Sequence, residues 1–295
     1  MIHAQDRRRH NPLILIGEEV LKMAEDMRLD TELVNRGLCS SRTKAQRLIE
    51  NGCVLVNGQV SLKPSLRISD VDSVLISGEV CPYVSRGGLK LEKALKCFEC
   101  DVHNLVCVDV GASTGGFTDV LLRNGAAFVY ALDVGRAQLH PSLLRDPRVR
   151  SMEQMNARYL NKSLFSPCPQ FAVMDVSFIS VKLILPALLS LLGDEGRLIT
   201  LIKPQFEVGR SNVGKNGIVR SPLAHIDAIA GVMFAASALK WHINELTYSP
   251  ITGQDGNIEY LAYVIPDRVS DSPAIRDDEI ESVVTQAFKS LHAPG

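Results

Sequence analysis

The run Val106-Cys107-Val108-Asp109-Val110-Gly111-Ala112-Ser113-Thr114-Gly115-Gly116-Phe117-Thr118 holds a carboxylate inside an apolar stretch, then three glycines, then the start of a helical pattern. Its valines predict a short buried parallel strand over residues 105–110. The glycines let a ligand approach bare backbone where a helix over 117–123 begins with unpaired amides. A second strand over 128–132 ends in Asp133, about 24 residues after Asp109, where an acid can bond ribose hydroxyls. Strand, glycine turn and helix together open a nucleotide site.

Three chemistries compete for that turn, with a ligand-free βα turn as the plain structural alternative. A dinucleotide site fits poorly, because Ser113 stands where the second glycine of its fingerprint belongs. Gly111-Ala112-Ser113-Thr114-Gly115 matches the G-x-S-x-G elbow, which would make Ser113 an acyl-transfer nucleophile with His225 or His242 as its base. In an S-adenosylmethionine site, Asp109 and the turn (Gly111, Ser113, Gly115, Gly116) face the methionine end and Asp133 holds the ribose. A hydrolase sheet needs several strands ahead of its elbow, whereas a different kind of domain precedes this one, so the methyltransferase reading ranks first.

The elements that must position these groups alternate between strand and helix. A third strand is expected near Val149, a fourth over 171–175 ending in Asp175, a crossover helix over 183–192, and a fifth strand over 197–203 ending in Lys203. Such alternation indicates a doubly wound parallel sheet, with ligands at the carboxyl ends of its strands. Asp109, Asp133, Asp175 and Lys203 all fall there. Residues 209–216 nearly match a phosphate-binding P-loop, but Asn216 replaces the hydroxyl that would hold magnesium, so a glycine-rich cationic lid is the better reading. Ser221-Pro222 starts a helix to about Lys240, and strands over 241–251 and 257–265 form a final antiparallel hairpin with Glu259 near the start of its second strand.

Ahead of the sheet, residues 1–26 read as an extension. Leu29, Leu33, Val34 and Leu38, then Ala45, Leu48 and Ile49, mark two short helices, and Asn57-Gly58 turns a hairpin between small strands. The cations Arg36, Arg42, Lys44, Arg47, Lys63 and Arg67 face only Glu50 over this stretch, a basic face suited to RNA phosphates. Ser85 starts a joining helix that carries Lys90 on its early turns.

Bulk properties narrow the classes. The 295 residues, 46% hydrophobic and 22% charged, suit one large core with a smaller appended domain, and a net charge of -1 excludes a uniformly basic nucleic-acid binder. The apolar stretch 183–192 is interrupted by Pro186 and falls short of the ~20 residues that span a bilayer, so no membrane partner is expected. Seven scattered cysteines point to a reducing cytoplasm rather than a disulfide framework, and Cys97-x-x-Cys100 supplies only half a zinc site, so no metal is expected.

Two resemblances sharpen this reading. Arg28-Leu29-Asp30, Ser41-Arg42-Thr43-Lys44-Ala45 and Val54-Leu55-Val56-Asn57-Gly58 resemble the S4 RNA-binding domain. Ser85-Arg86-Gly87-Gly88-Leu89-Lys90, the run 109–118, Asp175-Val176-Ser177-Phe178, Lys203-Pro204-Gln205-Phe206 and Asn257-Ile258-Glu259-Tyr260 resemble the TlyA family. That resemblance implies an S4-like α/β domain (27–84) followed by an FtsJ-like methyltransferase domain (85–290) of α/β, Rossmann-like fold, mostly parallel with a terminal antiparallel hairpin. It implies S-adenosyl-L-methionine as cofactor, ribosomal RNA or ribosomal subunits as partner, and 2′-O-methylation of cytidines in 16S or 23S rRNA. Family members are often labelled hemolysins, yet no lytic segment stands out here. An RNA-binding module with an inactive methyltransferase fold is the rival.

By the same resemblance Lys90, Asp175, Lys203 and Glu259 match a catalytic tetrad, with Gly115, Phe117, Asp133, Asn156 and Asp175 toward the cofactor. A ribose hydroxyl is too weak an acid to attack a sulfonium methyl unaided, so a base must take its proton. Lys203 is expected in that role, its pKa lowered by burial and by Lys90 beside it, while Asp175 and Glu259 orient the amines and the ribose.

Overall fold

The computed structural model describes residues 26–50, 52–76, 81–214, 216–253, 255–268 and 274–291, which fall into two compact units divided between Ser77 and Gly78. Apart from Asp26, the expected extension lies outside the described residues, as do Lys215 of the expected lid and the side chain of Arg47.

The first unit runs β1 (Met27–Arg28), α1 (Leu29–Asn35), α2 (Arg42–Glu50), β2 (Val54–Val56), β3 (Gln59–Ser61), β4 (Arg67–Ile68) and β5 (Val74–Ile76). Leu29 and Leu33 of α1 meet Ala45, Leu48 and Ile49 of α2 over Val54, Ile68 and Val74, so the helical spacing seen in the sequence builds one small core. β2 is the centre of an antiparallel sheet, β3-β2-β5, and β1 pairs with β4. Asn57 and Gly58 both take positive φ, 51° and 80°, as a tight hairpin requires.

The second unit opens with α3 (Gly87–Cys97), β6 (Val106–Val110), α4 (Gly116–Arg123), β7 (Phe128–Leu132), α5 (Pro141–Leu144), β8 (Val149–Met152) and β9 (Phe171–Met174). It continues with α6 (Leu185–Leu192), β10 (Arg197–Ile202), α7 (Pro204–Glu207), α8 (Pro222–Ser237), β11 (Trp241–Tyr248), β12 (Tyr260–Pro266) and α9 (Asp277–Leu291). Seven strands order as β11-β12-β10-β9-β6-β7-β8; β10, β9, β6, β7 and β8 are parallel, and the β11/β12 hairpin runs antiparallel beside β10. This is the doubly wound α/β sheet that the alternation predicts.

Side chains alternate along each strand, and both faces are covered. Cys107, Val129, Val173 and Ile199 pack under α3, α4 and α5, while Val108, Tyr130, Met174 and Leu198 pack under α6, α8 and α9. The crossover helix begins later than its apolar run: Val181–Leu183 is a 3-10 turn and Pro186 lies in the first turn of α6, where its missing N–H costs nothing. The final strands are shorter than expected, leaving residues 249–253 and 255–259 outside them. Helix α9, which the sequence reading did not include, buries Ile280, Val284 and Ala287.

The division between units lies ahead of the expected boundary at 84/85. Residues 83 and 84 pack on the second unit: Val84 N donates to Asp119 Oδ2 at 2.9 Å, and the Tyr83 ring lies 5.2 Å from the Arg123 guanidinium. An apolar Pro-Tyr-Val stretch reads as linker in sequence, but its partners come from α4.

Candidate active site

Four charged side chains converge where three strands end. Asp175 is the first residue past β9 and Lys203 the first past β10. Because β12 runs antiparallel, with Ile202 opposite Tyr260, Glu259 just before it arrives at the same edge. Lys90 comes from the first turn of α3. Its Nζ donates to Glu259 Oε2 at 2.6 Å and to Asp175 Oδ2 at 3.3 Å. Lys203 Nζ lies 2.6 Å from Asp175 Oδ1 and 3.9 Å from Glu259 Oε1, and donates to Ser177 Oγ at 2.9 Å.

Two lysine amines and two carboxyl groups are thus interleaved in a setting where an unpaired charge would be expensive. Asp175 is the most open of the four, with its side chain 19% exposed against 3% for Glu259. Burial opposes the charged form of Lys90, but Asp175 and Glu259 outweigh it and hold the ammonium above the ordinary lysine range. Burial also opposes the Asp175 carboxylate, and Lys90 with Lys203 overcomes it, keeping that carboxyl below its usual range. The sequence reading paired amine against amine; the structure interleaves carboxylates, so at Lys90 the electrostatics run the other way.

The glycine turn lies beside this set. Gly111 has φ +84°, and a Cβ there would strike the Asp175 carbonyl, so only glycine lets β6 end this close to the tetrad. Gly115 at φ +98° is closed in by Leu139 and Leu143, and the Gly116 position by Ser85 and Gly88. No side chain of the N-cap residue Gly115 caps α4, and within its first turn the Thr118 amide bonds the Asp109 carboxylate. Asp109 is fully buried: Oδ2 accepts from Thr118 Oγ1 at 2.7 Å, and Oδ1 has no hydrogen-bond partner. Burial pushes its carboxyl up to about 7. Asp133 accepts from Ser113 N at 2.8 Å and Gly135 N at 2.7 Å, holding the turn while facing its rim.

Other expected residues take different places. Phe117 is 3% exposed and packs in the core under α3 and α4, so its ring is structural and only its backbone belongs to the turn. Asn156 is exposed and caps a 3-10 turn through Arg158 N, 3.0 Å away. The nucleophile elbow has no triad. Ser113 is exposed at the strand-end rim. His225 is buried against Tyr260 Oη and Val219 O, and His242 sits opposite Ile265 at the other edge of the sheet, bonded to Asp267. Cys97 and Cys100 are free thiols at the end of α3.

Several contributors escaped the sequence reading. Ser177 accepts from Lys203, and Gly253 leaves room for Glu259 Oε1, which a Cβ would approach to 2.7 Å. Asn257, 1% exposed, accepts from Val219 N at 3.0 Å and donates to Gly217 O at 2.9 Å, tying the segment just after the expected lid to the loop that carries Glu259. Phe178 is 92% exposed at φ +64°, with its ring 5.3 Å from Phe206. A large exposed aromatic inside an Asp-x-Ser-Phe run was the available signal.

In the first unit the basic set divides. Arg36 is taken up structurally: it donates to Glu32 Oε1, Asp72 O and Ser69 O at 2.7–3.0 Å, which removes it from the expected RNA-facing group. Arg42 remains 56% exposed while bonding Asp30, whose buried carboxylate Arg28, Gln46 and Arg42 hold well below its usual range. Lys44, Lys63 and Arg67 are exposed.

Comparison with known proteins agrees with this geometry. Residues 83–264 match the FtsJ-like methyltransferase model and residues 27–74 the S4 domain model. YqxC of Bacillus subtilis (strain 168), named as a candidate rRNA methyltransferase, is 46% identical over 266 residues, covering 90% of this chain and 95% of its own. The 16S/23S rRNA (cytidine-2'-O)-methyltransferase TlyA of Mycobacterium tuberculosis (strain ATCC 25618 / H37Rv) is 40% identical over 267 residues, covering 90% and 98%. A solved structure of a Streptococcus thermophilus protein described as a hemolysin superposes with a TM-score of 0.72 at 45% identity, covering 91% of this chain and 98% of that one. A chain with these matches, a doubly wound sheet and four converging charges belongs to the TlyA family, FtsJ-like methyltransferases that carry an S4 domain.

Proposed function

We propose that this protein uses S-adenosyl-L-methionine to methylate ribose 2′-hydroxyls of cytidines in ribosomal RNA. The observation that carries the reading is the charge-balanced set Lys90, Asp175, Lys203 and Glu259 at the strand ends beside the glycine turn. When bound, the cofactor supplies an electrophilic methyl group on a sulfonium. Its fit rests on the tight turn at Gly111 beside Asp175, where a Cβ would strike backbone, and on the unpartnered buried oxygen of Asp109. Asp109, Gly111, Ser113, Gly115, Gly116 and the Phe117 backbone would hold the methionine end, Asp133 the ribose, Asn156 the adenine side and Asp175 the junction with catalysis.

Within the tetrad the roles divide by environment. Lys90, kept protonated by Asp175 and Glu259, is the fixed charge. Lys203 is the base that takes the hydroxyl proton, with Ser177 fixing its direction. Asp175 and Glu259 orient both amines, and positioning of the hydroxyl supplies much of the rate. Phe178 offers a stacking face for a base drawn out of its helix. Arg42, Lys44, Arg47, Lys63 and Arg67 contact RNA phosphates.

No helix among the described residues is long and apolar enough to cross a membrane. We place the protein in the cytoplasm with the ribosome. Incubation of unmodified ribosomal subunits with the protein and methyl-labelled cofactor, followed by mapping of ribose methylation, tests the reading. New 2′-O-methylcytidine supports it; cofactor and RNA binding without transfer would instead identify an RNA-binding module with an inactive fold.

A further inference from the structure

We infer that Glu207 is a positioning residue that braces the loop carrying Asp175, Ser177 and Phe178 against the loop carrying Lys203 and Phe206. The inference rests on the methyl-transfer reading above.

The two loops leave neighbouring parallel strands, β9 and β10. The second is stiff: Pro204 follows Lys203, and Phe206 N and Val208 N bond back to Lys203 O and Pro204 O at 2.9 and 3.0 Å. The position of Glu207 is therefore fixed relative to Lys203. The first loop is irregular from Asp175 to Ser180 and contains a phenylalanine at positive φ, which persists only where its surroundings over-determine it.

The Glu207 side chain, 1% exposed, reaches across to that loop. Oε2 accepts from Ser180 Oγ at 2.6 Å and Oε1 from Val181 N at 2.8 Å. Lys182 Nζ lies 3.5 Å from Oε2 and 3.4 Å from the Glu207 carbonyl. Ser180 in turn caps the following 3-10 turn through Lys182 N. All of these side-chain contacts go to one loop, none to the tetrad, so a buried carboxylate is being used to hold backbone. Burial pushes its carboxyl upward, and only the bonds from Ser180, Val181 and Lys182 oppose that. With both ends of the span fixed, the 2.6 Å contact of Lys203 with Asp175 and the 5.3 Å approach of Phe178 to Phe206 become dependent on Glu207.

The test compares Glu207→Ala and Glu207→Gln with the unmodified full chain. It measures cofactor affinity by calorimetry, kcat and KM for methyl transfer, and amide hydrogen exchange over residues 176–183. For Glu207→Ala the expected result is cofactor affinity within about twofold of wild type, kcat lower by about tenfold or more, and faster exchange confined to 176–183. Glu207→Gln still accepts from Val181 N–H and pairs with the Ser180 hydroxyl, so it should recover most of the rate and protection. Unchanged kcat and exchange in Glu207→Ala would overturn the inference. So would loss of protection and cofactor affinity throughout the unit, or a Gln variant as impaired as Ala. If the wild type transfers no methyl group, the functional reading fails, and the exchange comparison still decides the brace.

Discussion

Lys90 Nζ donates to Glu259 Oε2 at 2.6 Å, a bond between the first turn of α3 and the residue before β12, 169 positions apart. It closes the charge set from the side opposite Lys203. Lys93, one turn on, fixes the register of α3 by donating to Tyr248 O at 2.7 Å while lying 3.7 Å over the Tyr248 ring. Helix, hairpin and parallel strands are thereby tied to one point.

Removing the charge of Glu259 leaves Lys90 with Asp175, 3.3 Å away, as its remaining counter-charge. Glu259→Gln should abolish transfer and cost about 3–5 kcal/mol in denaturant unfolding, because Lys90 is left without its closest counter-charge. The double variant Lys90→Met/Glu259→Gln should regain part of the stability and none of the activity. Equal stability of the single and double variants would contradict the coupling.

Asp109 makes stability depend on pH. Its carboxyl titrates near 3.9 when unfolded and about 7 when folded, so between those values the native chain binds the extra proton. Its contribution is complete below about pH 4, falls as pH rises through 7, and then levels off, a change on the order of 4 kcal/mol. Asp109→Asn should flatten this slope in unfolding titrations from pH 4 to 8; an unchanged slope would assign the pH dependence elsewhere.

The basic residues of the first unit should separate by role. Arg36→Ala should destabilise that unit, because Glu32, Ser69 and Asp72 lose their shared partner. Lys44→Ala or Lys63→Ala should leave stability unchanged, weaken RNA binding, and each lower the salt dependence of log K by about 1. Thermal unfolding and filter binding across a salt series read the two effects apart.

The fold was legible wherever periodicity was strong. The runs at 106–110, 128–132 and 197–202 form buried strands, and Ser221-Pro222 starts α8 as its cap and proline require. Helix α9 was missed because its apolar residues Ile280, Val284 and Ala287 form a narrow stripe in a charged segment. Asp175 and Lys203 could be placed at strand ends from pattern alone, whereas Lys90 and Glu259 required a family resemblance, since neither spacing nor composition says which helix faces the rim. Local sequence also could not show that carboxylates would stand between the amines, that Phe117 would turn into the core, or that Arg36 would be consumed by backbone carbonyls. Those outcomes depend on partners remote in the chain.

Methyl transfer depends on Lys203 as the base. Lys203→Ala should bind S-adenosyl-L-methionine with wild-type affinity in calorimetry and leave the cytidine 2′-hydroxyls of ribosomal RNA unmethylated in a single-turnover assay. Methylation by that variant at a rate near the wild type would contradict the account.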